Sequence, residues 1–298
     1  MAAQERVIGV DLGGTKILAG VVGRAGDVAH RREWPTPLES QDELLAALDR
    51  AVEDLLDPGV VALGFSIPSI VDQRAGRALS SVNVPLHDLE FRARMEARFG
   101  LPVALDNDAN AAAFAEWRRG AGADSATMVM LTLGTGVGGG FVLDGELYRG
   151  WAEAGHIVVV HDGKRCPCGG RGHLEAYCTG VAAEEAAREV FGPAADAHRL
   201  VRLANEGDPQ ARELLTGIGR ILGSGIGSFV NLFDAERVVI GGGFGVAAFD
   251  HLVGPALEVA RREALAPADE SLSIAKAQLG TAAGVIGAGL IAFDALGR

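Results

Sequence analysis

Apolar positions near the start of the chain come in three short runs, Val7–Val10, Ile17–Val22 and Val28–Glu33, parted by Gly13-Gly14 and by Gly23-Arg24-Ala25-Gly26. Runs of this length between glycine turns predict an antiparallel meander of hairpins. The period then changes. Ser40-Gln41-Asp42-Glu43 has the form of a capping box, and Leu44, Leu48, Val52 and Leu55 recur at helical spacing until Asp57-Pro58-Gly59 stops the pattern. Val60–Ser66 reads as an apolar strand and Asp88–Phe99 as an amphipathic helix with Leu89, Met95 and Phe99 inward. Val103–Leu105 reads as a short strand leading into an Ala-rich helix, Asn110–Trp117. Alternation of this kind predicts an α/β fold.

The pattern breaks at Arg118-Arg119-Gly120-Ala121-Gly122, and a second β-rich set opens with Thr127–Leu133, Gly138–Leu143 and Glu146–Tyr148. A domain boundary is therefore placed near 120, giving an N-terminal lobe over 1–119 and a C-terminal lobe over 120–280. Within the second lobe come a cysteine-bearing loop, helices around 180–191, 196–206 and 208–232, and a buried strand, Arg237–Ile240, that ends in Gly241-Gly242-Gly243-Phe244-Gly245. A last helix over about 281–298 is expected to pack back on the first lobe. Both lobes begin with strand, glycine turn and strand, Asp11–Thr15 in one and Leu133–Val137 in the other, a faint repeat at about 120 residues. Two similar lobes would leave a cleft.

Composition narrows the function. A length of 298 residues agrees with two domains at roughly 150 residues each. Lys plus Arg number 27 against 39 Asp plus Glu, a net charge of −12 that gives no attraction to phosphodiester backbones or anionic lipid. No nucleic-acid or membrane partner is expected. The apolar run between Lys276 and Asp294 falls just short of the ~18 residues a membrane span needs and is read as a packed helix. The N-terminus lacks the basic start and apolar stretch of a signal peptide, and three cysteines are too few for a disulfide framework, so a reducing, cytoplasmic location is expected.

Glycine is 42 of 298 residues, about twice the usual ~7%, and part of that excess lies in turns suited to anions. In Asp11-Leu12-Gly13-Gly14-Thr15-Lys16 the glycines let backbone N–H groups converge, Thr15 adds a hydroxyl donor, and Asp11 is a candidate for the shell of a divalent cation. A plain tight hairpin is the competing account. Gly134-Thr135-Gly136 makes the second turn, and the pair suggests two cradles for one nucleotide. It is neither a Rossmann fingerprint nor a Walker loop, because strands flank it and no Gly-Lys-Ser/Thr follows. Gly241, Gly242 and Gly243 sit between strand and helix, where close backbone approach suits a flat adenine or ribose.

Leu105-Asp106-Asn107-Asp108-Ala109-Asn110 lies where a short strand meets a helix, so its side chains are expected in the loop region. Phosphoryl transfer to an alcohol needs one carboxylate to take the hydroxyl proton. Asp106 and Asp108 both qualify, with helix capping as the other role.

His156, Cys166, Cys168 and His173 offer four ligands within 18 residues, and the loop over 156–175 is held tight by Pro167 and Gly169-Gly170-Arg171-Gly172. Two thiolates and two imidazoles complete a closed tetrahedral shell, which points to structural Zn²⁺. His161 is a substitute ligand, and Cys178 reads as a buried small hydrophobe. Glu153 and Glu175 are carried by the same loop, as partners for sugar hydroxyls or as plain surface acids.

With these residues together, the chain resembles the ROK family of bacterial sugar kinases and repressors, within the two-lobed actin-like ATPase (ribonuclease H-like) fold. Asp11–Lys16 resembles the family's first phosphate motif, Asn107-Asp108-Ala109-Asn110 its catalytic segment and Leu133–Gly140 its second phosphate motif. Glu153-Ala154-Gly155-His156 and Cys166–Glu175 resemble its sugar-and-zinc loop, and Val239–Gly243 its nucleotide end. The resemblance implies an ATP- and Mg²⁺-dependent transfer to the 6-hydroxyl of a hexose, glucose first, with fructose, mannose or an N-acetylated amino sugar as other acceptors. It implies Asp108 as general base, so choosing between the two acids, and Asn83, Asn107, Asp108, Glu153, His156 and Glu175 as sugar ligands, His156 also ligating zinc. It further implies a homodimer or homotetramer. His173 stands where the family usually has a third cysteine, and Ser69 where it often has glycine. A sugar-responsive regulator is the other class in the family, but a first strand at residue 7 leaves no room before it for a DNA-binding helix-turn-helix.

Overall fold

The computed structural model describes residues 5–297, which divide into two compact units. Unit 1 takes the chain up to Gly120, then Arg149–Trp151, and finally the residues from Thr281 onward; unit 2 takes Ala121–Tyr148 and Ala152–Gly280.

Unit 1 is built on β1 (Arg6–Leu12), β2 (Lys16–Val22), β3 (Val28–Pro35), α1 (Gln41–Glu53) and β4 (Val60–Ile67). There follow a small sheet of β5 (Ile70–Asp72), β6 (Arg77–Ser80) and β7 (His87–Leu89), then α2 (Phe91–Phe99), β8 (Val103–Asn107) and α3 (Asp108–Arg119). The main sheet has the order β3-β2-β1-β4-β8. Its first three strands form the antiparallel meander that the glycine turns predicted, and β4 and β8 join in parallel. The Ser40 hydroxyl accepts from the Glu43 amide as the helix N-cap, although α1 ends at Glu53 and leaves Leu55 outside it.

The expected helix over Asp88–Phe99 is shorter than its pattern. Residues His87–Leu89 pair with β6, and the helix begins only at Phe91. The small sheet was missed because its strands are three or four residues long, too short for a period to register.

Unit 2 holds β9 (Met128–Leu133), β10 (Val137–Leu143), β11 (Glu146–Leu147), α4 (Glu175–Cys178), α5 (Gly180–Phe191), α6 (Ala197–Glu206) and α7 (Pro209–Phe233). After these come β12 (Arg237–Gly241), α8 (Gly243–Glu263), α9 (Ala268–Ser271) and β13 (Ser273–Lys276). The sheet order is β11-β10-β9-β12-β13, again an antiparallel meander joined by two parallel strands. The faint repeat in sequence is thus one topology used twice.

The chain ends in α10 (Ala283–Ala295), which belongs to unit 1 and is buried along nearly its whole length. It lies directly on the sheet. Gly9 of β1 and Gly64 of β4 are register partners, and a Cβ at Gly64 would collide with the Ala288 carbonyl of the helix. Close approach of backbone to backbone accounts for these glycines, as the turns account for others. Among the described residues no helix is long and apolar enough to cross a membrane.

Candidate active site

In unit 1 three parallel strand ends lie side by side: Asp11 of β1 pairs with Ser66 of β4, and Ser66 with Asp106 of β8. The carboxyl ends of parallel strands are where α/β sheets bind ligands. Ser66 is buried and donates to Asp11 Oδ1 at 2.8 Å. Burial pushes the Asp11 carboxyl above its ordinary range, against the pull of Ser66 and of the charges on Lys16 and Arg31. Gly284, in the first turn of α10, has no Cβ where one would run into this carboxylate. Beside Asp11 the first glycine turn is closed by Gly13 N–H donating to the Lys16 carbonyl at 2.9 Å, and the Thr36 hydroxyl donates to the Gly13 carbonyl at 2.8 Å. Lys16 itself turns to Glu33, with 3.2 Å between Nζ and Oε2. Asn83 stands against Gly14.

The two candidate acids part company. Asp106 is fully buried, not in the loop region as expected. Its Oδ1 accepts from the Asn107 amide at 2.8 Å and from Asn110 Nδ2 at 2.9 Å. Its Oδ2 has no hydrogen bond and faces Arg149 Nη1 at 3.6 Å. Burial raises its pKa; Asn110, Arg149 and the Asn107 amide oppose the rise. Asp108 is exposed and opens α3, with Oδ1 accepting from the Ala109 amide at 2.8 Å. Neither acid is the helix N-cap. That role falls to Asn107, whose Oδ1 accepts from Ala109 N–H at 2.9 Å, so the helix starts at Asp108 rather than at Asn110. Asn107 Nδ2 donates to the Ser69 carbonyl at 3.3 Å. Ser69 is buried with its hydroxyl on the Ser80 carbonyl at 2.8 Å, so the side chain that departs from the family's usual glycine is tied to β6.

In unit 2 the second glycine turn joins β9 to β10 through Gly134, Thr135 and Gly136, closed by Gly134 N–H on the Gly136 carbonyl at 2.9 Å. Gly180, at the start of α5, donates to the Gly134 carbonyl at 2.9 Å. Gly242, at φ 77°, caps α8 without a side chain, and a Cβ there would strike the Leu133 backbone. Gly241 ends β12 beneath the Met130 side chain. The turn, α5, α6 and α8 border an open cavity of about 500 Å³, lined by Gly134, Thr135, Gly180, Val181, Ala197, Val201, Gly243, Phe244 and Ala247, with Glu184 and His198 as its ionisable members. Its size is that of a small-molecule site. Of its walls, Val181, Glu184, Ala197, His198, Val201 and Ala247 were missed: they lie on ordinary amphipathic helices, and nothing local distinguishes them. Arg149 likewise carried no signal.

The knuckle forms in the same unit. Cys166 N–H donates to the Gly170 carbonyl at 2.9 Å, Gly169 N–H returns to the Cys166 carbonyl at 2.9 Å, and Val158 bridges to His173. One ligand atom each from His156, Cys166, Cys168 and His173 lies within 4.8 Å of the others. Cys168 Sγ is 3.2 Å from His173 Nδ1 and Cys166 Sγ is 3.9 Å from His156 Nδ1, close to the ligand separations of a tetrahedron with bonds of ~2.0–2.3 Å. Donor type and spacing therefore fit a zinc ion. His161 stays outside the cluster, exposed and facing Asp162 at 3.5 Å. Cys178 is fully buried. Burial pushes the Cys166 thiol up to about 11. Glu153 is exposed, with Oε2 3.9 Å from His156 Nε2. Glu175 is no plain surface acid: its Oε2 accepts from the Val137 amide at 2.9 Å, and its Oε1 is 3.7 Å from Cys166 Sγ.

The family model for the ROK family matches residues 7–295. This chain belongs to the ROK family. It is 32% identical to the glucokinase of Streptomyces coelicolor over 304 residues, which cover 94% of this chain and 95% of the relative. The crystal structure of the ROK hexokinase from Thermus thermophilus superposes with a TM-score of 0.83 at 36% identity, covering 98% of this chain and 99% of that one. A ROK glucokinase from Streptomyces griseus, in complex with glucose and AMPPNP, gives 0.80 at 33% identity, covering 97% and 99%. The fold is therefore the two-lobed, actin-like α/β class, and the chain is a ROK sugar kinase of glucokinase-like type.

Proposed function

We propose that this ATP-dependent sugar kinase transfers the γ-phosphoryl group of ATP to the 6-hydroxyl of a hexose, glucose before other sugars, with Asp108 as general base. The observation that carries the reading is the contrast at β8 and α3, where one acid of the motif is buried and the other is exposed and oriented by the Ala109 amide. As O6 attacks in line, its proton passes to the Asp108 carboxylate. The new bond joins O6 to the γ-phosphorus, the bond from that phosphorus to the bridging oxygen breaks, and ADP leaves.

Unit 2 supplies the nucleotide site. The cavity takes the base and ribose between Val181, Val201, Phe244 and Ala247, while Gly134–Gly136 and the open N-terminus of α8 at Gly242 and Gly243 present backbone N–H groups to phosphate. From unit 1, Gly13, Gly14, Thr15 and Lys16 serve the phosphates. Asp11 would hold Mg²⁺ or its water, being a buried carboxylate with one oxygen on Ser66; the ion neutralises charge on the transferring group when bound. Within unit 1 Asn83 and Asn107, and within unit 2 Glu153, His156 and Glu175, are the groups suited to sugar hydroxyls. Zn²⁺ on His156, Cys166, Cys168 and His173 has no open position in a four-ligand shell, so its part is structural: it fixes the loop that carries Glu153 and Glu175.

A panel of glucose, mannose, fructose and N-acetylated amino sugars, measured by kcat/KM for sugar-dependent ADP release, tests the assignment. Glucose is expected to rank first. No sugar-dependent ADP release with any of them overturns it, and a different leading sugar corrects the acceptor alone.

A further inference from the structure

One short segment ties the metal knuckle to the second phosphate turn. It begins at His173, a knuckle ligand, and runs to Gly180. Leu174 N–H is held by the Ile157 carbonyl at 3.0 Å, which docks the segment beside the knuckle. Glu175 then reaches both ways. Its Oε1 lies 3.7 Å from Cys166 Sγ, and its Oε2 accepts from the Val137 amide at 2.9 Å, the first residue after the turn. Five residues on, Gly180 N–H holds the Gly134 carbonyl at the first residue of the turn. Both ends of Gly134–Gly136 are therefore pinned by a single stretch of chain. Space for the carboxylate exists because residue 136 is glycine: a Cβ there would stand 2.8 Å from Glu175 Oε2.

A carboxylate with one oxygen committed to a backbone amide holds that amide by a charge-assisted bond, which is stronger than a neutral one. We propose that Glu175 is a positioning residue for the nucleotide-phosphate turn, and that through it metal held in the knuckle sets affinity for the nucleotide before any sugar is present. The inference rests on the reading of this turn as a phosphate cradle. It assigns Glu175 a task besides contact with a sugar hydroxyl: without a metal, Cys166 and His173 no longer fix the segment at its start, and the hold on Val137 loosens with it.

The test is calorimetric titration of AMPPNP with Mg²⁺, without sugar, into the full chain in its zinc-loaded and zinc-depleted forms. The loaded form is expected to bind about tenfold more tightly, the size of one charge-assisted hydrogen bond. Glu175→Ala in the loaded form is expected to fall to the depleted value and to show no further loss on depletion. Glu175→Gln keeps a carbonyl for the Val137 amide and is expected to recover most of the affinity. Hydrogen exchange at the Val137 amide of the unsubstituted chain needs no variant, and protection is expected to drop on depletion. Equal AMPPNP affinity in loaded and depleted chain, or a Glu175→Ala chain that keeps the wild-type affinity, overturns the proposal while leaving the kinase reading intact. No AMPPNP binding in any form overturns both.

Discussion

The two glycine turns are the same device with different supports. Each joins the first two strands of a meander in a sheet of the same order, and each is closed by one backbone hydrogen bond across the turn. In unit 1 the surroundings are polar and ionisable: Asp11 precedes the turn, Thr36 braces it, and Asn83 stands against it. In unit 2 the turn is braced by Glu175 and Gly180 and opens on a cavity walled mainly by Val, Ala, Phe and Gly. A glycine hairpin can present N–H groups to an anion, and its neighbours decide what else could be bound beside it. The difference predicts a division of labour, with proton transfer dependent on unit 1 and hold on the base and ribose of the nucleotide dependent on unit 2.

The sharpest way to break that division is Asp108→Asn. Loss of a general base costs about 10²–10⁴ in rate, so kcat for sugar phosphorylation is expected to fall by about 10³, with AMPPNP affinity unchanged within twofold. A matched fall in AMPPNP affinity would mean that the two units do not divide the work. The converse test is Ala247→Trp, which puts an indole into the unit 2 cavity from the exposed face of α8. An AMPPNP affinity about 10²-fold weaker is expected by calorimetry, with sugar affinity retained.

The smallest effect sharpens the comparison between the two acids within unit 1. The folded-state pKa of Asp106 is raised by burial, so between its ordinary value and the raised one the folded chain holds a proton that the unfolded chain has released. Its contribution to stability is therefore present at low pH and is lost as pH rises through that window. Asp106→Asn removes this titration. The melting temperature of the variant minus that of the wild type is expected to grow by a few degrees as pH rises from the ordinary carboxylate range. A flat difference would show that Asp106 is not held against ionisation.

Much of the site was legible because its signals are local. Strand, glycine turn and strand is a pattern of fewer than 20 residues in each unit, and the knuckle ligands are close enough in the chain for their chemistry to declare itself. The choice between Asp106 and Asp108 was not legible from the residues: two residues apart at a strand end, they carry the same chemistry, and the expectation that both face the loop was wrong for Asp106. It is buried against Asn110 and Arg149, one on the following helix and the other 43 residues away in the chain. The same holds for Ser69, whose hydroxyl finds its partner in the Ser80 carbonyl, 11 residues away in the chain.

Taken alone, the order of residues determined the alternation of strands and helices, the repeated meander, the two turns and the Cys and His side chains that cluster in the knuckle. These depend on backbone conformations and side-chain types within a few positions of one another. Tertiary structure decided which carboxylate is buried, that Glu175 joins knuckle to turn, and that helices α5, α6 and α8 leave a cavity beside Gly134. Those outcomes are sums over neighbours brought together from distant parts of the chain, and solvent exposure, which sets what an acid can do, is a property of that assembly.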